Sequence, residues 1–214
     1  MLTAAGRRAF AALDRRAAAD VEALLAGLGD GAQRRLVAAA DTIGRLLDAE
    51  GDTDAPAYEL RAPRIGDVGW VIHRQAVLYD REYGWNQEFE ALVAEIGGQF
   101  LREFDPTRER CWIAERRGEI VGVVFVVRKS TRVAQLRMLY VEPSARGLGL
   151  GRRLVDECVA FARDRGYRRL TLWTNDVLVS ARRIYEAAGF VKTSELAQRA
   201  FGRAVVSQNW ELRL

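Results

Sequence analysis

Cysteine, histidine and lysine are scarce in this 214-residue chain, which has two, one and two of them. Cys111 and Cys158 stand far apart in sequence, with no Cys or His near either at ligand spacing. That excludes a zinc ribbon and a disulfide framework, predicts no metal, and suits a reducing cytoplasm. Long apolar runs are missing too. Nothing approaches the roughly 20 residues that span a bilayer, and MLTAAGRRAFAALDRR lacks the continuous apolar stretch of a secretory signal, so no membrane partner is expected. The Arg/Ala character of that opening suits a transit peptide. However, Asp14, Asp20 and Glu22 follow, and the segment has a helical period of its own. With lysine so rare, the net charge of +4 comes almost wholly from arginine, and the basic residues are interspersed with 29 acids rather than gathered in a block. Such a balance suits an anionic ligand without indicating a nucleic-acid tract.

What is present is enough for a sizeable core, since 49% of the residues are hydrophobic. Phe10, Leu13, Ala17, Val21, Leu24 and Leu28 recur at steps of three and four, which places them on one stripe of a long helix. Gly29 and Gly31 interrupt it. Asp30 and Gln33 can then form a capping box, and Leu36, Ala40, Ile43 and Leu47 repeat the pattern. Residues 1–50 thus read as a helical hairpin, and 51–57, polar and acidic with Gly and Pro, as a linker. From 58 to 214 strands and helices follow in mixed order. Strands are predicted at 58–64, at 111–127 as two strands joined at Arg117-Gly118, and at 132–141, 168–174, 190–195 and 205–212. Helices are predicted at 66–84, 86–104, 149–165 and 177–188.

The stretch YVEPSARGLGLGRRLV puts three glycines, Gly147, Gly149 and Gly151, between a strand and a helix. Backbone amides and the positive end of the helix dipole converge there, the makings of an anion site, although a tight turn without a ligand would use the same glycines. A dinucleotide fingerprint fails at Arg152 in one register and at Leu154 in the other, and no Gly-Lys-Ser/Thr follows for a P-loop. What fits is Arg146-x-x-Gly149-x-Gly151. It resembles the acyl-CoA pyrophosphate loop of the GNAT superfamily of N-acetyltransferases. Further on, LTLWT leads into Ala181-Arg-Arg-Ile-Tyr185-Glu-Ala-Ala-Gly189-Phe190, similar to that superfamily's A-x-x-x-Y-x-x-x-G-F segment. Where the superfamily often has an asparagine three residues before the alanine, Leu178 stands here.

The resemblance, over about 58–214, implies an α/β (α+β) fold with a mixed, mostly antiparallel central sheet flanked by helices. It implies acetyl-CoA as co-substrate and transfer of an acetyl group to a primary amine by direct attack in a ternary complex. The strand carrying Leu139, Tyr140 and Val141 would splay from its neighbour, pair with the pantetheine arm and polarise the thioester carbonyl. Arg146, Gly147, Leu148, Gly149, Leu150, Gly151 and Arg152 would hold the pyrophosphate, with Arg153 a further source of charge. Asn175 or Ser180 would replace the missing asparagine as polar contacts. Tyr185 would stand near the departing sulfur as hydrogen-bond donor or general acid. A neutral amine needs a base; Glu142 is the candidate beside the strand, and His73, Asp80, Glu82 and Glu88 lie in the acceptor segment. There Trp70, His73, Tyr83 and Trp85, with Tyr79 and Phe89, would form the acceptor pocket for a small-molecule or peptide amine.

The opening hairpin resembles the last two helices of MarR-type transcription regulators, which form the dimer interface in that family. The resemblance implies a homodimer through 1–50 and, with no DNA-reading helices in this stretch, no direct DNA binding. The alternative is a regulatory module that senses acyl-CoA or an effector without turnover.

Overall fold

The computed structural model describes residues 3–47 and 58–214. The predicted linker 51–57 lies outside the described residues. The chain forms two compact units, parted within the segment 48–57.

In the first unit, α1 (Ala4–Ala26) starts where the Thr3 hydroxyl accepts from the Gly6 amide at 3.1 Å. In α2 (Asp30–Leu47) the expected capping box does not form. Gly29 accepts the first helical bonds, from Ala32 and Gln33, and the Gln33 side chain donates instead to the Leu25 and Leu28 carbonyls at 2.8 and 3.0 Å. Gln33 thereby closes the end of α1. Much of the apolar stripe stays exposed, including Phe10, Leu13, Val21, Leu36 and Ile43.

The second unit is built on a seven-stranded sheet in the order β1-β2-β3-β4-β5-β7-β6. In chain order its elements are β1 (Glu59–Arg61), α3 (Asp67–Tyr83), α4 (Gln87–Glu103), β2 (Arg110–Arg116), β3 (Glu119–Arg128), β4 (Val133–Val141), a 3₁₀ turn at Pro143–Ala145, α5 (Leu150–Asp164), β5 (Arg169–Asn175), α6 (Val179–Ala187), β6 (Val191–Ala200) and β7 (Arg203–Arg213). β4 and β5 are parallel and every other pair is antiparallel. Two expectations change. β1 is shorter than 58–64, because the Arg64 amide turns to the Asp67 carboxylate at 2.6 Å, which anchors the start of α3. β6 runs past Glu195 to Ala200, since an edge strand paired only with β7 carries no inside–outside alternation to read.

Each face of the sheet holds its own core. Leu150, Leu154, Val155 and Cys158 of α5 pack with Tyr185 of α6 on Val124, Leu136 and Leu172. On the other face Val71, Phe89, Val93 and Phe100 of α3 and α4 cover Ile113, Val123 and Phe125. Helices on both faces leave the C-terminal end of β4 as the place where the layers can part.

Candidate active site

β4 does two unusual things near its end. Its ladder with β5 stops at Leu136↔Leu172, so Arg137 to Val141 have no partner on that side. On the other side the register jumps from Phe125↔Arg137 to Val123↔Tyr140, which leaves Met138 and Leu139 unmatched on β3. This is a bulge, with Met138 in the left-handed region at φ 55°. The parting from β5 that the resemblance implied for the strand carrying Leu139, Tyr140 and Val141 begins at Arg137.

A groove of about 490 Å³ opens along the freed strand. Leu139, Tyr140 and Val141 line it, as do Arg146, Gly147, Gly149, Leu150, Gly151, Arg152 and Ser180. Between Arg146 and Arg153, whose amides bond to Pro143 and Gly149, the amides of Gly147 to Arg152 donate to no acceptor among the described residues. Gly147 and Gly149 supply the turn, at φ 83° and 73°, and a Cβ on either would meet open space. Gly151 has a different use, for a Cβ there would lie 2.8 Å from Ile184 Cδ1. It lets α5 and α6 approach. Of the other residues implied for this region, Leu148 is exposed and off the groove, and Arg153 pairs with Glu157 at 2.6 Å on the solvated helix face. Arg146 is held by Glu82 at 2.8 Å.

A second, smaller cavity of about 80 Å³ lies behind β4, lined by residues of α3, α4, β4, β5 and α6. Tyr79, Leu139, Leu178 and Ala181 border both spaces, so the two meet at the bulge. Trp85, Phe89 and Trp173 give the cavity an aromatic wall. From outside it is braced by the β6–β7 tip, where Phe201 at φ 56° sets its ring 4.8 Å from Trp85 and 5.4 Å from Phe89. The Phe201 amide donates to Glu88 at 2.6 Å and its carbonyl accepts from the Asn86 amide at 3.2 Å. Tyr185 also lines the cavity. Its hydroxyl bonds to no described residue, and burial holds its pKa well above the usual phenol value, with Tyr79 and Cys158 adding to the rise. Burial pushes Tyr79 up to about 12. Asn175, expected to touch the pantetheine or phosphate region, lines this cavity instead, buried with both amide atoms unsatisfied.

Residues 72–190, more than half the chain, match the Acetyltransferase (GNAT) family. The chain belongs to that family. It is 32% identical over 119 residues to an uncharacterised N-acetyltransferase of Schizosaccharomyces pombe, covering 55% of this chain and 72% of that protein. It is also 32% identical over 110 residues to N-acetyltransferase family 8 member 2 of Rattus norvegicus. That match covers 47% of this chain and 49% of the rat protein, so the chain spans about half the length of such a relative. Among solved structures, yncA of Salmonella typhimurium, determined with its cofactor acetyl-CoA, shares the fold at a TM-score of 0.57. The match covers 74% of this chain and 94% of that one, at 20% identity.

GNAT enzymes use acetyl-CoA, and the groove fits it. Free amides at a helix N-terminus suit a diphosphate, and an unpaired strand edge suits the amides of a pantetheine arm. Arg146 and Arg152 outnumber Glu82, the single acid among the described residues lining the groove.

The implied acceptor residues divide. Trp85 lines the second cavity and Tyr83 the groove. Trp70 stands edge-on to Tyr140 at 6.3 Å and His73 is exposed, and neither borders either space. The base candidates fare worse. Glu142, 8% exposed, receives two hydrogen bonds from Arg74, at 2.7 and 3.0 Å. Burial by itself raises the Glu142 pKa, but the Arg74 hydrogen bonds and charge outweigh it and hold the carboxyl below its ordinary value. Glu142 therefore clamps β4 to α3 and lines neither space. Glu82 and Glu88 are engaged with Arg146 and Phe201, and Asp80 is exposed.

Sequence reasoning left Gln75, Arg137, Trp173 and Thr174 without a role, and all four line the cavity. The available sign was a polar residue at a buried phase. Gln75 falls in step with Val71 and Leu78 on α3, and Arg137 sits mid-strand in β4 among Leu136, Met138 and Leu139, at a half-buried position.

Proposed function

We propose that this GNAT chain transfers the acetyl group of acetyl-CoA to a primary amine within a ternary complex. The observation that carries this reading is the meeting of the two spaces at Leu139, one suited to coenzyme A and the other smaller and aromatic. Acetyl-CoA supplies an activated thioester carbonyl. The amide of Leu139, in the bulge and beyond the end of the β5 ladder, donates to the oxygen as negative charge develops there. The amine lone pair forms the C–N bond as the C–S bond breaks, and the electron pair leaves on sulfur. Tyr185, like any phenol, is neutral at physiological pH, and burial only strengthens that, so it serves the sulfur as a hydrogen-bond donor. Complete proton transfer to a thiolate of pKa about 8.5 would be uphill by more than about 2 kcal/mol from a phenol above 10. The cavity has no carboxylate or imidazole among its described lining residues. Loss of water and the like charge of Arg137 in its lining disfavour an ammonium, so the amine reacts in the neutral form that solvent supplies, and its proton ends on the thiol.

The test is thiol release from acetyl-CoA across a panel of amines and peptides, alongside calorimetric acetyl-CoA binding. Release with one acceptor class is expected. Tight binding without release from any acceptor would overturn the transferase reading, and no binding would overturn the assignment of the groove.

We infer further that α1 and α2 join a second copy of the chain. The exposed stripe of Phe10, Leu13, Val21, Leu36 and Ile43 and the likeness to MarR-type dimer helices support it. The buried free thiols Cys111 and Cys158 suit a reducing cytoplasm. Replacing Leu13 and Ile43 by Glu is expected to halve the mass at sedimentation equilibrium with acetyl-CoA binding unchanged. An unaltered mass removes the hairpin from assembly.

A further inference from the structure

We propose that the acceptor carries a carboxylate as well as its amine, as an amino acid does, and that Arg137 binds this carboxylate inside the aromatic cavity. The proposal rests on the reading of that cavity as the acceptor site.

Arg137 differs from Arg61, Arg74 and Arg108, which are partly buried as it is. Arg61 is shared by Asp67 and Glu115, and Arg74 holds Glu142. Arg108 bonds to two carbonyls and lies over the Tyr167 ring. Arg137 lines the cavity in the middle of β4, half-buried, and makes no hydrogen bond or ion pair with any described residue. The charge that acts on it is that of Glu95, exposed on α4, and burial lowers its pKa more than Glu95 restores it. A half-buried guanidinium with no hydrogen-bond partner, whose opposing charge is the exposed Glu95, loses part of its hydration, and a ligand carboxylate can make up that loss.

The rest of the lining indicates which ligand. Among the described residues no acid borders the cavity to satisfy Arg137. Three polar side chains there are nine-tenths or more buried and lack partners, namely Gln75 at Oε1, Thr174 at Oγ1 and Asn175 at both amide atoms. A guanidinium fork matches a carboxylate through two parallel hydrogen bonds. The Gln75 and Asn175 oxygens can accept from an amine, and Thr174 and the Asn175 nitrogen can donate. The cavity thus offers one cationic site and several neutral ones, which suits a molecule with an amine and a carboxylate a few bonds apart. At about 80 Å³ it admits a small molecule rather than a folded chain. A polyamine would bring cations to a space that already holds an unmatched one.

The full chain would be assayed with matched acceptors, each amino acid beside its carboxamide and its decarboxylated amine. The unaltered protein, Arg137→Gln and Arg137→Lys would be compared. The expected result is that the amino acid is preferred in kcat/KM by about 10- to 100-fold, the ratio that a hydrogen bond to a charged group confers. Arg137→Gln should abolish the preference by raising acceptor KM, with the KM for acetyl-CoA unchanged, and Arg137→Lys should restore part of it. A binding measurement independent of turnover uses N-acetylated amino acids against their amides in the presence of coenzyme A. The acid should bind more tightly, and Arg137→Gln should remove the difference. Equal use and equal binding of acid and amide, or a preference that survives Arg137→Gln, overturns the role of Arg137 while leaving the transferase reading intact. Failure of acetyl-CoA to bind or release thiol overturns the parent reading instead.

Discussion

The groove at the start of α5 and the cavity behind β4 solve the problem of recognition in opposite ways. Most of the groove comes from one continuous stretch, Leu139 to Arg152, and its central offer is main-chain amides that turn geometry leaves unspent. Its charges are largely committed, Arg146 to Glu82 and Arg152 to Asp156 at 3.8 Å. The cavity is assembled by side chains from five elements, and its polar groups are the ones without partners. A site built of backbone tolerates most sequence changes that keep its turn. A site built of side chains changes its ligand whenever one of them changes.

Three substitutions test that contrast. The largest effect is expected in the cavity behind β4, where Tyr185→Phe removes the hydroxyl proposed to donate to the departing sulfur. Turnover should fall about 100-fold, within the span of positioned proton donors, while calorimetry finds acetyl-CoA affinity within about twofold of the parent. Equal turnover would take Tyr185 out of the chemistry. Next, Gly149→Val forces a β-branched residue to φ 73°, a conformation that costs an L-residue about 1–2 kcal/mol. Acetyl-CoA KM should rise about tenfold with the ranking of acceptors preserved; a changed ranking would mean that the two spaces are not separable. The smallest effect is expected away from both. Glu142→Gln should lower stability by about 2 kcal/mol at neutral pH, the worth of a hydrogen bond to a charged partner, with kcat nearly unchanged. Because the Glu142 pKa is depressed in the folded state, its contribution is fully present above the ordinary glutamate value and is lost as pH falls through the folded one. Melting curves of parent and variant should therefore converge in acid. A kcat that collapses at neutral pH in Glu142→Gln would restore Glu142 as a base.

The same contrast explains what was legible in the sequence. Gly147, Gly149 and the strand before them were readable because a turn is a local event, fixed by residues next to one another. Gly151 was readable as a glycine but not in its purpose, since Ile184 reaches it from another helix. The cavity was harder, because Gln75, Arg137 and Trp173 become neighbours only through the strand order that sets β4 beside β5. Trp70 and His73 were drawn into the acceptor side by their residue types, yet on α3 they lie out of phase with Val71, Gln75 and Leu78, which face inward. Helical phase was a better guide than aromatic or titratable character. The length of β6 was invisible for the reverse reason, since an exposed edge strand leaves no pattern in hydropathy.

The β6–β7 tip carries a consequence for descent with modification. Phe201 braces Trp85 and Phe89 from behind, at the end of a hairpin that contributes nothing to the groove at the start of α5. Insertions and deletions are accommodated most easily at such tips. A lineage can therefore reshape the wall of the aromatic cavity by adding or removing a few residues around Phe201, while the groove at the start of α5 is inherited unchanged.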